Sequence, residues 1–298
     1  MILLTGATGL VGTAVLRRLV AAGEPVRCLV RDPRGLGEQR VRVQLALGDL
    51  ADPPSFRNAM RGVSSVIHLA ASARDQPAGS IEELNSIATW RMVRAAERAN
   101  VRRFVFLSGL GASPRHRTRL LRAKALAEHV IEESSLETAI LRASLIYGEH
   151  DRSLRLIGRS TLFAPVMPLI GMGHAEFQPI WADDVADCVI AALHAPEKRQ
   201  RHELAGPQTL TQRELVGLQL RALGRRRRLV PVPETVVAGA LLAGENLMKS
   251  KTPVSWDEAE VLTASMTTPR GTQGAEGLGV HPAAMSAVLV PSTREGVV

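Results

Sequence analysis

Thr5-Gly6-Ala7-Thr8-Gly9-Leu10-Val11-Gly12 follows directly on the apolar run Met1-Ile2-Leu3-Leu4. A buried strand, a glycine turn and an amphipathic helix in immediate succession leave few folds open. Gly6 lets the chain turn tightly, Gly9 removes the Cβ that would block an approaching pyrophosphate, and Gly12 lets helix and strand pack closely. The helix that follows offers an anion its first N–H groups and the positive end of its dipole. Residues 11–22 place Val11, Val15 and Leu19 beside Leu16 and Val20 on one face, with Arg17 and Arg18 opposite. Gly23 stops the helix and a second strand runs over residues 26–30. A glycine triplet alone says little; the strand before it and the helix after it supply the specificity.

The same alternation continues to about residue 145. Strands are predicted at residues 2–4, 26–30, 43–47, 65–69, 103–107 and 137–141, and helices at 10–22, 54–61, 81–99 and 119–134. This rhythm predicts an α/β fold, a doubly wound parallel sheet of the Rossmann type. Ligands of such sheets bind at the carboxyl ends of the strands, which here brings together Gly6 to Gly12, Val30-Arg31, Gly48-Asp49, Leu69 to Ala71 and Ser108-Gly109. Beyond residue 145 proline and glycine become frequent and the rhythm breaks. Helices are expected at 182–194, with Asp183 and Asp184 suited to the dipole at its start, and at 211–223, where Thr211 and Glu214 form a capping box. The expected organisation is a core over 1–145 and a smaller mixed C-terminal region over 146–263 that serves substrate or partner and returns to the core near 178–206. A loosely held tail, rich in Thr, Gly, Ser and Pro, is expected over 264–298.

Composition excludes several classes. No apolar run is long enough for a transmembrane segment; residues 236–243 come nearest and contain Gly239. The apolar N-terminus reads as a first strand rather than a signal peptide, and a cytoplasmic protein is expected. Cys28 and Cys188 lack neighbouring ligands, so free buried thiols are expected and no metal site. The net charge is +8, but only four of the basic residues are lysine and aromatics make up 3%. That pattern fits an arginine-rich coding bias better than a nucleic-acid surface, and no specific nucleic-acid motif accompanies it. Arg225 to Arg228 read as a solvated turn.

Further motifs resemble a known family. These are Gly48-Asp49-Leu50, Val66-Ile67-His68-Leu69-Ala70-Ala71, Asn85 four residues before Thr89, and Arg103-Phe104-Val105-Phe106-Leu107-Ser108. Later come Arg142-Ala143-Ser144-Leu145-Ile146-Tyr147-Gly148 and Gln178-Pro179-Ile180-Trp181-Ala182-Asp183-Asp184. Together with the glycine turn they resemble the extended or atypical short-chain dehydrogenases/reductases. The branch most similar holds the nucleotide-binding accessory subunit of respiratory complex I and its bacterial relatives.

The resemblance implies a nicotinamide dinucleotide as ligand. Gly6, Thr8, Gly9, Leu10, Val11 and Gly12 would hold its pyrophosphate, Asp49 and Leu50 the adenine, and Leu69, Ala70, Ala71 and Ser108 would line the cofactor. Asp49 reads equally well as a turn cap. NAD-specific relatives place an acid at the end of the second strand; here Val30 stands there, followed by Arg31, whose planar fork suits a 2′-phosphate. NADP(H) is therefore expected over NAD(H), with Asp32 as the residue that would reverse the preference.

Carbonyl-reducing members use a Tyr as acid/base with a Lys four residues later, one helical turn away, to hold the nicotinamide ribose and lower the phenol pKa. The corresponding segment reads Leu120-Leu121-Arg122-Ala123-Lys124, so the Lys is kept and Leu120 takes the place of the Tyr. Leucine transfers no proton. The only tyrosine, Tyr147, is a weak substitute, and Gly109 follows Ser108 where relatives often carry a second serine. The expectation is a dinucleotide-binding protein with a structural, sensing or non-tyrosine redox role. The alternatives are a reductase or epimerase acting on a small hydrophobic carbonyl or quinone-like substrate, and a dinucleotide-sensing regulator of a protein partner. His68 is expected to be a packed residue rather than a catalyst.

Overall fold

In a computed structural model residues 1–148, 151–163, 165–248 and 252–289 are described. Seven parallel strands form one sheet. The first six are β1 (Ile2–Thr5), β2 (Val26–Val30), β3 (Gln44–Leu47), β4 (Ser65–His68), β5 (Arg103–Gly109) and β6 (Glu137–Ala143). Their helices are α1 (Leu10–Ala21), α2 (Pro53–Phe56), α3 (Ala88–Arg98) and α4 (Arg119–Glu132). After them come β7 (Ile146–Tyr147), α5 (Arg152–Phe163), β8 (Val166–Ile170), β9 (Glu176–Phe177), β10 (Ile180–Trp181), α6 (Ala182–His194) and β11 (Arg199–Leu204). β12 (Leu210–Thr211), α7 (Gln212–Ala222), β13 (Arg228–Val232), α8 (Glu234–Met248) and α9 (Trp256–Glu260) complete the larger elements.

The sheet order is β11-β6-β5-β4-β1-β2-β3. Strand order therefore reverses between β1 and β4, the switch point at which such sheets bind ligands. Side chains alternate across the pleat, so Ile2 and Leu4 meet Val15, Leu19 and Val189 on one face. Leu3 meets Phe56, Met92 and Ile131 on the other. Both faces are thus covered, α1 and α6 lying on the first, and α2, α3 and α4 on the second. Cys28 and Cys188 are buried free thiols.

Three features depart from the sequence expectations. β11 adds a seventh strand, parallel to β6, outside the six predicted. The helix expected at 81–99 is present, running unbroken over 81–98, but it carries a π-helical turn at Glu83–Ile87 before α3. The loosely held tail over 264–298 is not found in its described part. Met266 N–H donates to Glu176 O, Thr268 O–H donates to Glu203, and Ala275 and Met285 are wholly buried. A Cβ on Gly274 would stand 2.0 Å from Glu203 O. The small residues that suggested looseness instead permit backbone to lie against the edge strand; residues 290–298 lie outside the described residues.

Candidate dinucleotide site

The glycine turn is built by close backbone approach. Gly6 has φ +72° and a Cβ there would meet Ala70 N at 2.6 Å, while a Cβ on Gly12 would meet Gly6 O at 2.0 Å. Strand β1, the loop after β4 and α1 therefore meet at a point that admits no side chain. Gly9 is the N-cap of α1 and supplies no side-chain cap, so the first amides of the helix remain directed outward for an acceptor. Thr8 borders the same turn, its methyl 2.9 Å from where a Cβ on Gly35 would stand.

Against this turn lies a cleft of about 410 Å³. Gly6, Thr8, Gly9, Arg31, Asp49, Leu50, Leu69, Ala70 and Ala71 all line it, joined by Asp32, Gly35, Ser72, Gln76 and Leu84. Other nominated residues stand back from it. Val11 and Gly12 are buried behind the turn, and Leu10 lies against Gly148. The glycine turn, the end of β2, the Gly48-Asp49 corner and the loop after β4 thus converge on one concavity at the switch point.

At the end of β2 the two charges have different partners. Asp32 accepts the N–H and the guanidinium of Arg34, a pair open to solvent that lowers the Asp32 pKa through its hydrogen bonds to Arg34. Among the described residues the Arg31 guanidinium donates only to the neutral amide oxygen of Gln76, at 3.0 Å. Gln76 belongs to a strap over residues 72–79, closed by mutual amide bonds between Gln76 and Gly79 and by Gln76 Nε2 donating to Ser72 Oγ. Sequence inspection missed this strap because it reads as an ordinary Pro-Gly loop, although Asp75, Pro77 and Gly79 are turn signals. Asp49 caps its own turn by accepting Ala51 N–H at 2.9 Å, while lining the cleft.

Behind the cleft runs a buried polar chain. Thr89 donates to Asn85 O at 2.6 Å and so accepts from His68 Nε2 at 3.1 Å, which leaves His68 Nδ1 to accept from Thr5 Oγ1 at 2.8 Å. Asn85 in turn holds Ser72 through both its amide groups, fixing where the loop after β4 runs. His68 is fully buried, stacked on Phe106, and burial together with the Lys124 charge lowers its pKa to about 3. It is a neutral spacer that connects strand to helix.

Lys124, Ser108 and Tyr147 are not brought into this cleft. Lys124 Nζ donates to Leu107 O at 2.7 Å and lies 4.6 Å from the centre of the Phe106 ring. Burial lowers its pKa to about 8, against the opposing pull of Glu128. Ser108 is buried, its hydroxyl unpaired among the described residues. Gly109 faces Leu121, whose Cδ2 would be 2.4 Å from a Cβ at that position, so apolar side chains occupy the wall where a second hydroxyl would stand. Tyr147, nominated as a weak catalytic substitute, packs with Leu215 and Met285. Its hydroxyl is buried without a partner among the described residues, and desolvation with the Asp184 charge raises its pKa. Burial keeps this phenol from a ligand in the cleft.

Asp183 and Asp184 begin α6 as expected, but their main partners lie elsewhere. Asp183 pairs with Arg17 and Arg18, clamping α6 to α1, and Asp184 accepts Ala283 N–H. A second cavity, of about 700 Å³, adjoins the first through Arg31 and Gln76 and is bordered by Arg74, Glu245, Asn246 and Ser255. Arg119, at the start of α4, pairs with Asp75, Glu82 and Asp257, joining the strap, the π-helical turn and α9.

Comparison with known proteins agrees with this geometry. The model of a family described as NAD(P)H-binding matches residues 6–196. The chain is 30% identical over 261 residues to the NADH dehydrogenase [ubiquinone] 1 alpha subcomplex subunit 9, mitochondrial, of Arabidopsis thaliana. That match covers 83% of this chain and 64% of the plant protein, a little under two thirds of its length. It is 30% identical to the NAD(P)H azoreductase of Xenophilus azovorans, over 78% of this chain and 77% of that one. Among solved structures, the UDP-glucose 4-epimerase of Thermus thermophilus in complex with NAD superimposes with a TM-score of 0.73. There the identity is 18%, with 97% of both chains covered, a likeness of fold. With its seven-stranded sheet, its glycine turn at the switch point and these matches, the chain belongs to the NAD(P)H-binding Rossmann family of atypical short-chain dehydrogenase/reductase type.

Proposed function

We propose that this chain binds NADP(H) in the cleft beside the glycine turn and holds it for a structural, sensing or non-tyrosine redox role. One observation carries this above the others: among the described residues lining the cleft the charged side chains are Arg31, Asp32 and Asp49, and no tyrosine, histidine, cysteine or lysine is among them. The phosphorylated form is preferred because Asp32, the acid that would accept from ribose hydroxyls, is engaged by Arg34. Arg31 meanwhile has only a neutral amide oxygen to give up for a phosphate. In this reading Gly6, Thr8 and Gly9 with the start of α1 take the pyrophosphate, and Leu69, Ala70 and Ala71 pack along the dinucleotide. Lys124 holds the nicotinamide ribose only after leaving Leu107 O.

A second reading, reduction of an azo or quinone-like substrate, is favoured by the azoreductase match. Lys124 would then supply the proton, and only after its Nζ has left Leu107 O to reach the cleft.

Titration of the purified protein with NADPH and NADH tests the first reading. Charge-assisted hydrogen bonds to phosphate are worth about 1.5–3 kcal/mol, so NADPH binds at least about tenfold tighter and Arg31→Ala removes that advantage without weakening NADH. Equal affinities in the wild type would refute the preference. NADPH oxidation with an azo or quinone panel, abolished in Lys124→Ala, would establish the second reading instead.

A further inference from the structure

Gln76 lies 45 residues beyond Arg31 in sequence, yet the two side chains meet at the rim of the dinucleotide cleft. The amide oxygen of Gln76 accepts from Arg31 Nη1 at 3.0 Å. Which end of the amide faces the arginine follows from counting donors. The Ser72 hydroxyl has a single hydrogen, and it goes to Arg74 O at 2.6 Å. Ser72 Oγ is therefore an acceptor toward Gln76, and only the NH2 end of the amide satisfies it, at 2.9 Å. The oxygen is left facing Arg31. Ser72 is itself held: it is buried, its N–H donates to Asn85 Oδ1 at 3.2 Å, and its carbonyl accepts from Asn85 Nδ2 at 2.7 Å. The Gln76 backbone is pinned too, exchanging both amide bonds with Gly79 at 3.0 Å. An acceptor fixed in place and direction thus holds an exposed arginine.

We infer that Gln76 is a positioning residue for recognition of the 2′-phosphate: it orients the Arg31 guanidinium at the cleft without neutralising it. This rests on the NADP(H) reading given above. The neighbouring pair shows the alternative, since Asp32 engages Arg34 through both carboxylate oxygens and matches its charge with an opposite one. The Gln76 oxygen carries no formal charge and occupies one N–H of the Arg31 fork, leaving the others for a phosphate. Arginine has many rotamers, and ordering one at the moment of binding costs affinity. Selecting the rotamer beforehand removes part of that cost. A carboxylate at position 76 would fail twice. It would pair with Arg31 as Asp32 does with Arg34, and it would set acceptor against acceptor at Ser72 Oγ.

Titration of the full chain with NADPH and NADH, in the wild type and in Q76M, Q76E, R31A and R31A/Q76M, tests this through the ratio of the two affinities. Methionine keeps the volume of Gln76 and removes both side-chain hydrogen bonds; glutamate keeps the acceptor and adds a charge. The NADPH-to-NADH affinity ratio should fall about three- to tenfold in Q76M. In Q76E it should fall by at least about tenfold, because the added carboxylate both pairs Arg31 and opposes the phosphate. R31A/Q76M should show the same ratio as R31A, since Gln76 acts through Arg31. Circular dichroism melting verifies that the variants remain folded. A residue that merely shapes the cleft would shift both affinities together, so an unchanged or raised ratio in Q76M overturns the inference. If R31A collapses the ratio while Q76M and Q76E keep it, Gln76 has no positioning role and the NADP(H) reading stands. If R31A leaves the ratio unchanged, both fail.

Discussion

Lys124 carries an ammonium group in a place where burial works against charge. Its contact with Leu107 O at 2.7 Å, the Phe106 ring and the Glu128 carboxylate offset only part of that cost, and its pKa falls to about 8. A free lysine keeps its proton to about pH 10.4. Between those limits the unfolded chain binds a proton that the folded chain has released, so stability rises as pH increases through this window. Below pH 8 the group is charged in both states and the cost is present in full. The rise should amount to roughly 3 kcal/mol at most, and Lys124→Met should flatten it, as read from urea denaturation between about pH 7 and 10. An unchanged slope in the variant would contradict the assignment. His68 acts at the other end: with its pKa near 3 it stays neutral in the folded chain, so stability declines as pH drops below about 6.5 and the unfolded chain takes up the proton. Neither property could be read from the sequence. The Lys124 position was legible from the missing tyrosine at Leu120, but its direction followed only from the packing of Phe106 and Leu107.

At the scale of elements, the strand-turn-helix at the N-terminus was the most legible part, because its glycines answer to sterics alone. Gly12→Ala puts a Cβ 2.0 Å from Gly6 O, against backbone that has nowhere to go. Overpacking of this kind costs about 1–3 kcal/mol or more, so the melting temperature should drop by several degrees and nucleotide binding should weaken with it. A variant as stable as the wild type would mean that the helix does not approach the turn so closely. The strands β1, β2, β4, β5 and β6 were legible from their apolar runs. β11 was not, since Arg199-Gln200-Arg201-His202-Glu203-Leu204 carries charge along an edge strand, as edge strands do to resist further pairing. The π-helical turn before α3 was hidden for a different reason. Asn85 and Thr89 serve the polar chain through His68, and the local π-helical turn accompanies those contacts.

Over the whole molecule, the dinucleotide cleft depends on segments far apart in sequence. Arg119 joins residues 75, 82 and 257, and Arg74 donates to Thr252 O, so the strap over the cleft is tied to the C-terminal region. These long-range ion pairs have no sequence signature in a chain with arginines throughout, whereas the convergence of loops at the sheet's carboxyl edge follows from topology and was foreseeable. The C-terminal residues to 289 belong to this architecture as well, packed by small residues that composition alone suggested were loose. We propose that the assembled cleft holds the phosphorylated dinucleotide. Mass spectrometry of the nucleotide released on denaturing the purified protein measures this most directly: NADP+ or NADPH in near-stoichiometric amount is the predicted result, and NAD+ or NADH, or no nucleotide at all, would contradict it.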